Sequence, residues 1–267
     1  MNRLNYSLSK VKKCKPLKKI AETDLIFENV FSESKKARLN KDILSISIDV
    51  KDKVKVGDLS RGGYNRSGQT VKAYDKDQHW TTTLVPMGIL EEEQGIGTII
   101  FGNSNETSDF ICDCLKLWYE EAECHLAGHT TIQIKLDCGP HQGGRRTQFL
   151  KRIAKWAAEI DKTIHLLYYP PYHSKYNPIE RFWAALEQYW NGTLLNTVAK
   201  TLATANNMKW KEINPYVYLK EEVYEHGVKV NKKEMKIIEQ HLIRKPELKK
   251  WDITIKPTSK LRKLFFG

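Results

Sequence analysis

The chain has 267 residues, 40% of them hydrophobic, enough to bury one sizeable core plus a smaller appendage or two modest domains, so a disordered chain is excluded. It holds no run of about 18 apolar residues, and the opening MNRLNYSLSKVKKCKPLKKI lacks the apolar centre of a secretion signal; a soluble, cytoplasmic protein without a membrane partner is the expectation. Lys and Arg number 44 against 32 Asp and Glu, a formal charge of +12, which favours a polyanionic partner because neutralised phosphates release their counterions.

Positive charge gathers at the two ends, in KVKKCKPLKK (residues 10–19) and VKVNKKEMKIIEQHLIRKPELKKW (residues 228–251). Residues 1–40 are read as a basic arm. The first regular element is DILSISIDV, residues 42–50. There Leu44, Ile46, Ile48 and Val50 alternate with Ile43, Ser45, Ser47 and Asp49, the period of a strand. A turn at residues 51–53 into VKVGDL predicts a hairpin. The glycine-rich SRGGYNRSGQ beyond it is either a loop tracking DNA with Arg61 and Arg66 or an ordinary extension of that hairpin.

TTTLVPMGIL and GTIIFG supply further strands, and TSDFICDCLKLWYEEAE predicts a helix opened by Thr107 or Ser108. TIQIKLD is a strand ending at Asp137, followed by the turn CGPHQGG. RRTQFLKRIAKWAAEID repeats apolar residues at Phe149, Ile153, Trp156 and Ile160 and predicts a second helix; TIHLLYY is a buried strand. From Asn177 a third helix follows, with Ile179, Trp183, Leu186 and Trp190 on one face. Helices between the later strands imply a partly parallel sheet with crossovers. The expected class is therefore α/β, a mixed sheet flanked by helices over residues 41–191, with residues 192–267 as a basic extension. Short helices are expected there in TVAKTLATANNMKW, EEVYEHG and KKEMKIIEQHLIRKPELKKW, and a final strand in WDITIKP.

Three acids stand at element ends in this pattern. Asp49 lies on the first strand and Asp137 at the end of a later one, where chemistry collects in parallel sheets. Glu180 opens the third helix. It has two readings: a capping-box partner reaching back to the N–H of Asn177, or a third carboxylate of a shared site. Three hard oxygen donors suit Mg²⁺ or Mn²⁺, and two such ions about 4 Å apart can hold the attacking and leaving oxygens of a phosphoryl displacement. Asp49 could equally be a strand residue on a solvated face, and Asp137 a cap of its turn. A paired-carboxylate glycosidase would need two acids and no metal.

A zinc site is the competing metal reading, on Cys112, Cys114, Cys124, His125 and His129, but no paired C-x₂-C knuckle is present. Five cysteines, an odd number, do not form a secreted disulfide framework, so reduced thiols are expected. Arg145 and Arg146, at a helix start just after Asp137, are placed to grip phosphate or simply to stand in solvent. His141, His173 and Lys175 are further candidates for contact with DNA. Tyr168, Tyr169 and Tyr172 have a packing role or stack on unpaired bases.

The blocks SIDV with Asp49, KLDCGPH with Asp137 and, above all, YYPPYHSKYNPIERFW with Glu180 resemble the mariner-like insertion-sequence transposases, most closely the bacterial ISAzo-type group; DLSRGG and KKEMKIIEQHLIRKPELKKWDITIKP extend the likeness over roughly residues 20–260. The resemblance implies an RNase H-like DDE catalytic domain with Asp49, Asp137 and Glu180 as the metal-binding triad. It implies Mg²⁺, with Mn²⁺ able to substitute, as two ions; element ends and target DNA as substrates; a homodimer as the active complex; and a bacterial cytoplasmic location with DNA. Cleavage would release a 3′-OH that then attacks target DNA. Two features depart from the family pattern. Forty residues before the first strand leave little room for paired helix-turn-helix modules, which points to an N-terminally truncated copy whose residues 1–40 would be the remnant of a DNA-binding region, and Asp137 and Glu180 are further apart than in many mariner relatives. The alternative is a non-catalytic DNA-binding remnant of a transposase.

Overall fold

The structure, a computed structural model, describes residues 18–65, 70–75, 80–122 and 128–267, together with the backbone of residues 123–126. Its first helix, α1 (Thr23–Leu39), lies in the segment read as a basic arm; Ile26, Val30 and Ala37 recur on its buried side. The first strand, β1 (Ile43–Val50), leads to β2 (Val54–Gly57), the long β3 (Trp80–Glu91) and β4 (Gly97–Gly102). Then come α2 (Ser108–Leu126), β5 (Thr131–Leu136), α3 (Thr147–Ile160), β6 (Thr163–Tyr168) and α4 (Ile179–Trp190). Helix α2 starts where the sequence signals it. Thr107 caps α2 by accepting the Phe110 N–H at 3.1 Å, a side-chain oxygen satisfying a backbone donor that the helix leaves free.

With three later strands, β7 (Tyr216–Lys220), β8 (Leu242–Arg244) and β9 (Asp252–Ile255), strands β1–β6 form a sheet in the order β7-β4-β3-β1-β5-β6-β9-β8, with β2 on the first half of β3. β1 pairs antiparallel with β3 and parallel with β5, and β5 is parallel to β6. The central five strands, β4-β3-β1-β5-β6, with only β3 reversed, have the order of an RNase H-like fold. The expected hairpin between β1 and β2 does not form. Both edges of β1 are occupied by β3 and β5, so β2 pairs instead with β3, Val54 opposite Leu84 and Val56 opposite Thr82.

Two layers cover the sheet. On one face α2 and α3 enclose Leu44, Ile46, Ile48, Met87 and Ile89 with Phe110, Trp118, Phe149 and Ile153. On the other, α1 and α4 pack over the Ser45, Ser47 and Asp49 side of β1, where Leu90 meets Ile179, Phe182 and Trp183. That explains why the strand alternates strictly yet has Ser45 and Ser47 buried.

Beyond α4 come α5 (Val198–Asn206), β7 (Tyr216–Lys220), α6 (Lys232–Glu239), β8 (Leu242–Arg244), β9 (Asp252–Ile255) and α7 (Ser259–Phe266). Thr197 caps α5 through the Lys200 N–H at 3.1 Å. β9 is the expected final strand, whereas the segment EEVYEHG forms no helix. The basic extension also supplies three strands: β7 beside β4 at one edge, and β9 and β8 beside β6 at the other. Leu248, Trp251, Ile253 and Ile255 are part of the main core.

Candidate active site

Asp49 and Asp137 are brought together by strand register. β1 and β5 run parallel as neighbours, with Ser47 opposite Lys135 as the last aligned pair. Two residues further, each chain carries its aspartate. Side chains two apart share a face, and neighbouring strands lie about 4.8 Å apart, so the carboxyls meet at the C-terminal end of the sheet.

Glu180 arrives from α4, and the start of that helix is fastened to β1. Asn177 is buried; its carboxamide oxygen accepts from Ser47 Oγ at 2.5 Å and its amide donates to the Ile48 carbonyl at 3.0 Å. Ser47 Oγ in turn accepts the Ile179 N–H at 3.0 Å. One turn into the helix, Trp183 Nε1 donates to Asp49 Oδ2 at 3.0 Å. Gly88 lies opposite Asp49 on β3. A Cβ there would fall inside the Trp183 ring, so glycine is what lets the indole reach the aspartate.

The capping-box reading of Glu180 is overturned by these bonds. The Asn177 N–H is already donated to the Ser174 carbonyl at 2.7 Å, and the helix begins at Ile179 without a side-chain cap. Asn177 spends its side chain on the sheet instead.

The aspartate carboxyls of the site are crowded together and shielded from solvent. Burial, followed by the charges of Asp137 and Glu180, pushes the Asp49 carboxyl up to about 8, against the pull of the Trp183 hydrogen bond. Burial and the Glu180 charge push Asp137 up to about 6. Asp137 Oδ1 is buried without a hydrogen-bond partner. Hard oxygens crowded by like charge, one of them orphaned, fit a divalent cation of the Mg²⁺ class. Among the described residues no three His, Cys, Asp or Glu side chains already stand in position to hold one ion, while the Glu180 charge acts on both aspartates.

The other sequence candidates separate. Arg145 and Arg146 are exposed beside the turn that follows Asp137. Arg61 is pinned instead of facing a ligand: its Nη2 contacts both Glu187 oxygens, at 2.9 and 3.0 Å, and its guanidinium lies 4.9 Å from the Trp190 ring centre. Arg66 lies outside the described residues. His141 is partly buried, with burial lowering its pKa first and foremost, and its ring is near His226. His173 is buried against Phe27 and Tyr176, and Lys175 stands 5.3 Å over the Tyr176 ring.

Tyr168 and Tyr169 are buried; Tyr172 is exposed, with Lys18 over its ring. Cys112 and Cys114 are buried in the core, and burial raises both thiols, which suits packing and not zinc. Cys124 and His125 lie outside the described side chains. Sequence reasoning missed Ser47, Gly88, Trp183 and the sheet-facing role of Asn177. A serine and an aspartate alternating on one strand, and an asparagine before Pro-Ile-Glu, were the available signals.

An RNase H-like sheet with carboxylates meeting at the C-terminal ends of β1 and β5 defines the class, an RNase H-like domain with an acidic edge. The chain belongs to the family described as the Rhodopirellula transposase DDE domain, which matches residues 1–257. Among curated proteins there is no match. Solved structures similar to it include the Mos1 mariner paired-end complex with Mn, at TM-score 0.48 and 10% identity over 72% of this chain. A Mos1 transposase paired-end complex with the left transposon end gives 0.47 and 11%, also over 72%. The chain covers 56% of the length of each of those two.

Proposed function

We propose that this chain is the catalytic part of a transposase that cuts DNA at the ends of an insertion sequence and joins them to target DNA. The observation that carries the reading is the fastening of α4 to β1 through Asn177 and Ser47, which sets Glu180 against the registered pair Asp49 and Asp137. Family membership supports the reaction class.

Asp49 and Asp137 would present their oxygens from strand ends to Mg²⁺ or Mn²⁺, and Glu180 would close the set from the helix. Bound there, one or two such ions supply Lewis-acid polarisation of the phosphate and a more acidic water. In cleavage, a water oxygen bonds to phosphorus and the P–O3′ bond breaks, the departing oxygen taking a proton as a 3′-hydroxyl. In joining, that hydroxyl oxygen bonds to a target phosphorus and displaces another 3′-oxygen, which takes the proton. Trp183 holds Asp49 Oδ2 in place through both steps, and the indole and the α4 face exclude water from the buried side of the site. Arg145 and Arg146 would face the incoming phosphates.

The test uses a plasmid carrying the DNA that flanks this gene. Unsubstituted protein nicks it in Mg²⁺ or Mn²⁺; Asp49→Ala, Asp137→Ala and Glu180→Ala each abolish nicking while the circular dichroism spectrum is kept. Binding without nicking in either ion would instead make the chain a non-catalytic DNA-binding remnant.

A further inference from the structure

A cleft of about 380 Å³ opens at Cys138, one residue beyond Asp137, and is lined by Pro140, Gly144, Arg145, Arg146, Lys250 and Trp251. Its two walls come from distant parts of the chain: the turn after β5, and the loop between β8 and β9. Arg244 of β8 ties them together, donating from Nη1 to the Gly144 carbonyl at 2.9 Å and to the Lys249 carbonyl at 2.7 Å. Glu239 fixes the same guanidinium from the outside. The walls touch so closely that a Cβ on Gly144 would run into the Lys250 carbonyl, so only glycine closes the joint.

The charges in this cleft are unspent. Nearby cations on the same elements are paired, Lys151 with Glu234 and Arg152 with Asp109 and Asp113. Arg145, Arg146 and Lys250 have no acidic partner among the described residues. Three cations lining one cleft, with Lys250 and Arg145 both acting on Cys138 beside Asp137, make a positively charged groove that attracts a polyanion. Two guanidinium forks suit the paired oxygens of a phosphodiester, with the lysine as a point charge.

We propose that this cleft docks the sugar-phosphate backbone of the DNA strand passing the active site, with Lys250 as a DNA contact contributed by the C-terminal region. The proposal rests on the transposase reading for the identity of the polyanion. It gives the loop between β8 and β9 a direct part in substrate binding.

The test is fluorescence anisotropy of a labelled duplex in EDTA, so that no strand is cut, across a salt series. Each lost phosphate contact lowers the slope of log K against log salt by roughly 0.9. Lys250→Ala should lower it by about that amount and Arg145→Ala/Arg146→Ala by about twice as much, with melting temperatures confirming the fold; Lys250→Gln serves if the alanine variant is unstable. Lys260→Ala is the control. It opens α7, whose Arg262 pairs with Asp161 just beyond the far end of α3, and α3 is about 21 Å long at 1.5 Å per residue. Its slope should not change.

Unchanged slopes in the Lys250 and double-arginine variants overturn the proposal. So does an unsubstituted chain that binds no duplex, or one whose cleft variants lose binding to polyglutamate but not to DNA. Nicking in Mg²⁺ is read separately. Nicking with unchanged slopes removes the cleft alone, and reduced slopes without any nicking remove the catalytic reading alone.

Discussion

Asn177 fastens the start of α4, the helix that carries Glu180, to β1. Its carboxamide satisfies both Ser47 and the Ile48 carbonyl in a buried place. Asn177→Ala leaves those groups unpaired, at a cost of about 1–3 kcal/mol, and lets the Glu180 end of α4 drift. By analogy with residues that orient metal ligands, we expect Mn²⁺ affinity and nicking rate to fall roughly 10–100-fold; calorimetric titration and single-turnover nicking would read the two. A loss of stability with unchanged Mn²⁺ affinity would reduce Asn177 to packing.

The charge at Asp49 and Asp137 makes a second residue-scale prediction. Their folded pKa values, about 8 and about 6, lie above the ordinary 3.8. The folded state therefore binds more protons than the unfolded one between those limits, and stability is lost as pH rises. Ion-free protein should melt at falling temperature from about pH 4 to about pH 8, the Asp137 contribution ending near 6. Asp49→Asn should flatten that profile and melt higher than the unsubstituted chain at pH 8. A profile that rises over this range would contradict the crowded-carboxylate picture.

Among the elements, α4 is the one whose placement matters most, and Gly88 is its seat on the sheet. Gly88→Ala would drive a methyl into the Trp183 ring; overpacking of this kind costs typically about 1–3 kcal/mol, and the Trp183 bond to Asp49 should break with it. Thermal melts and tryptophan fluorescence would show both. The loop at residues 60–65 is held to the other end of α4 by Arg61 on Glu187 and by the Gly192 N–H on the Gly62 carbonyl at 2.7 Å. Arg61→Ala should speed proteolytic cutting in that loop; unchanged resistance would show that the backbone contacts alone hold it.

Much at this scale was legible in the sequence. The apolar face Ile179, Trp183, Leu186 and Trp190 is buried as its spacing requires, and β1, α2, β5, α3 and β6 lie where period and caps placed them. Helix α1 leaves no clear signal in the sequence, because its few apolar positions are diluted by Glu, Ser and Lys. The expected hairpin of β1 with β2 is absent because local turn chemistry cannot report that two distant strands claim both edges of β1. The same limit hid the function of Asn177. Asn-Pro before a helix signals a cap, and only the fold reveals a serine two residues before Asp49 competing for that side chain.

Over the whole molecule, helix α1 and the strands of the basic extension are tied to each other and to β6. Asp252 of β9 accepts from Asn29 of α1 at 2.9 Å and meets His165 of β6 at the same distance, while Lys245 donates to Asn29 at 2.6 Å. A chain ending at Gln240 loses β8, β9 and α7 with the buried Leu248, Trp251, Ile253, Ile255 and Leu261. Burying each such side chain contributes about 1.5–3 kcal/mol, and a protein's net stability is only about 5–15 kcal/mol. That truncation should lose its cooperative melting transition; a folded fragment would show the basic extension to be a separate unit.

The proposed activity requires three acids to form one divalent-ion site, and calorimetric titration of Mn²⁺ into the metal-free protein measures that directly. Binding with proton release at pH 7, weakened by each of Asp49→Asn, Asp137→Asn and Glu180→Gln, is the predicted result. Equal Mn²⁺ binding by the unsubstituted protein and all three variants, or no binding by any of them, would contradict it.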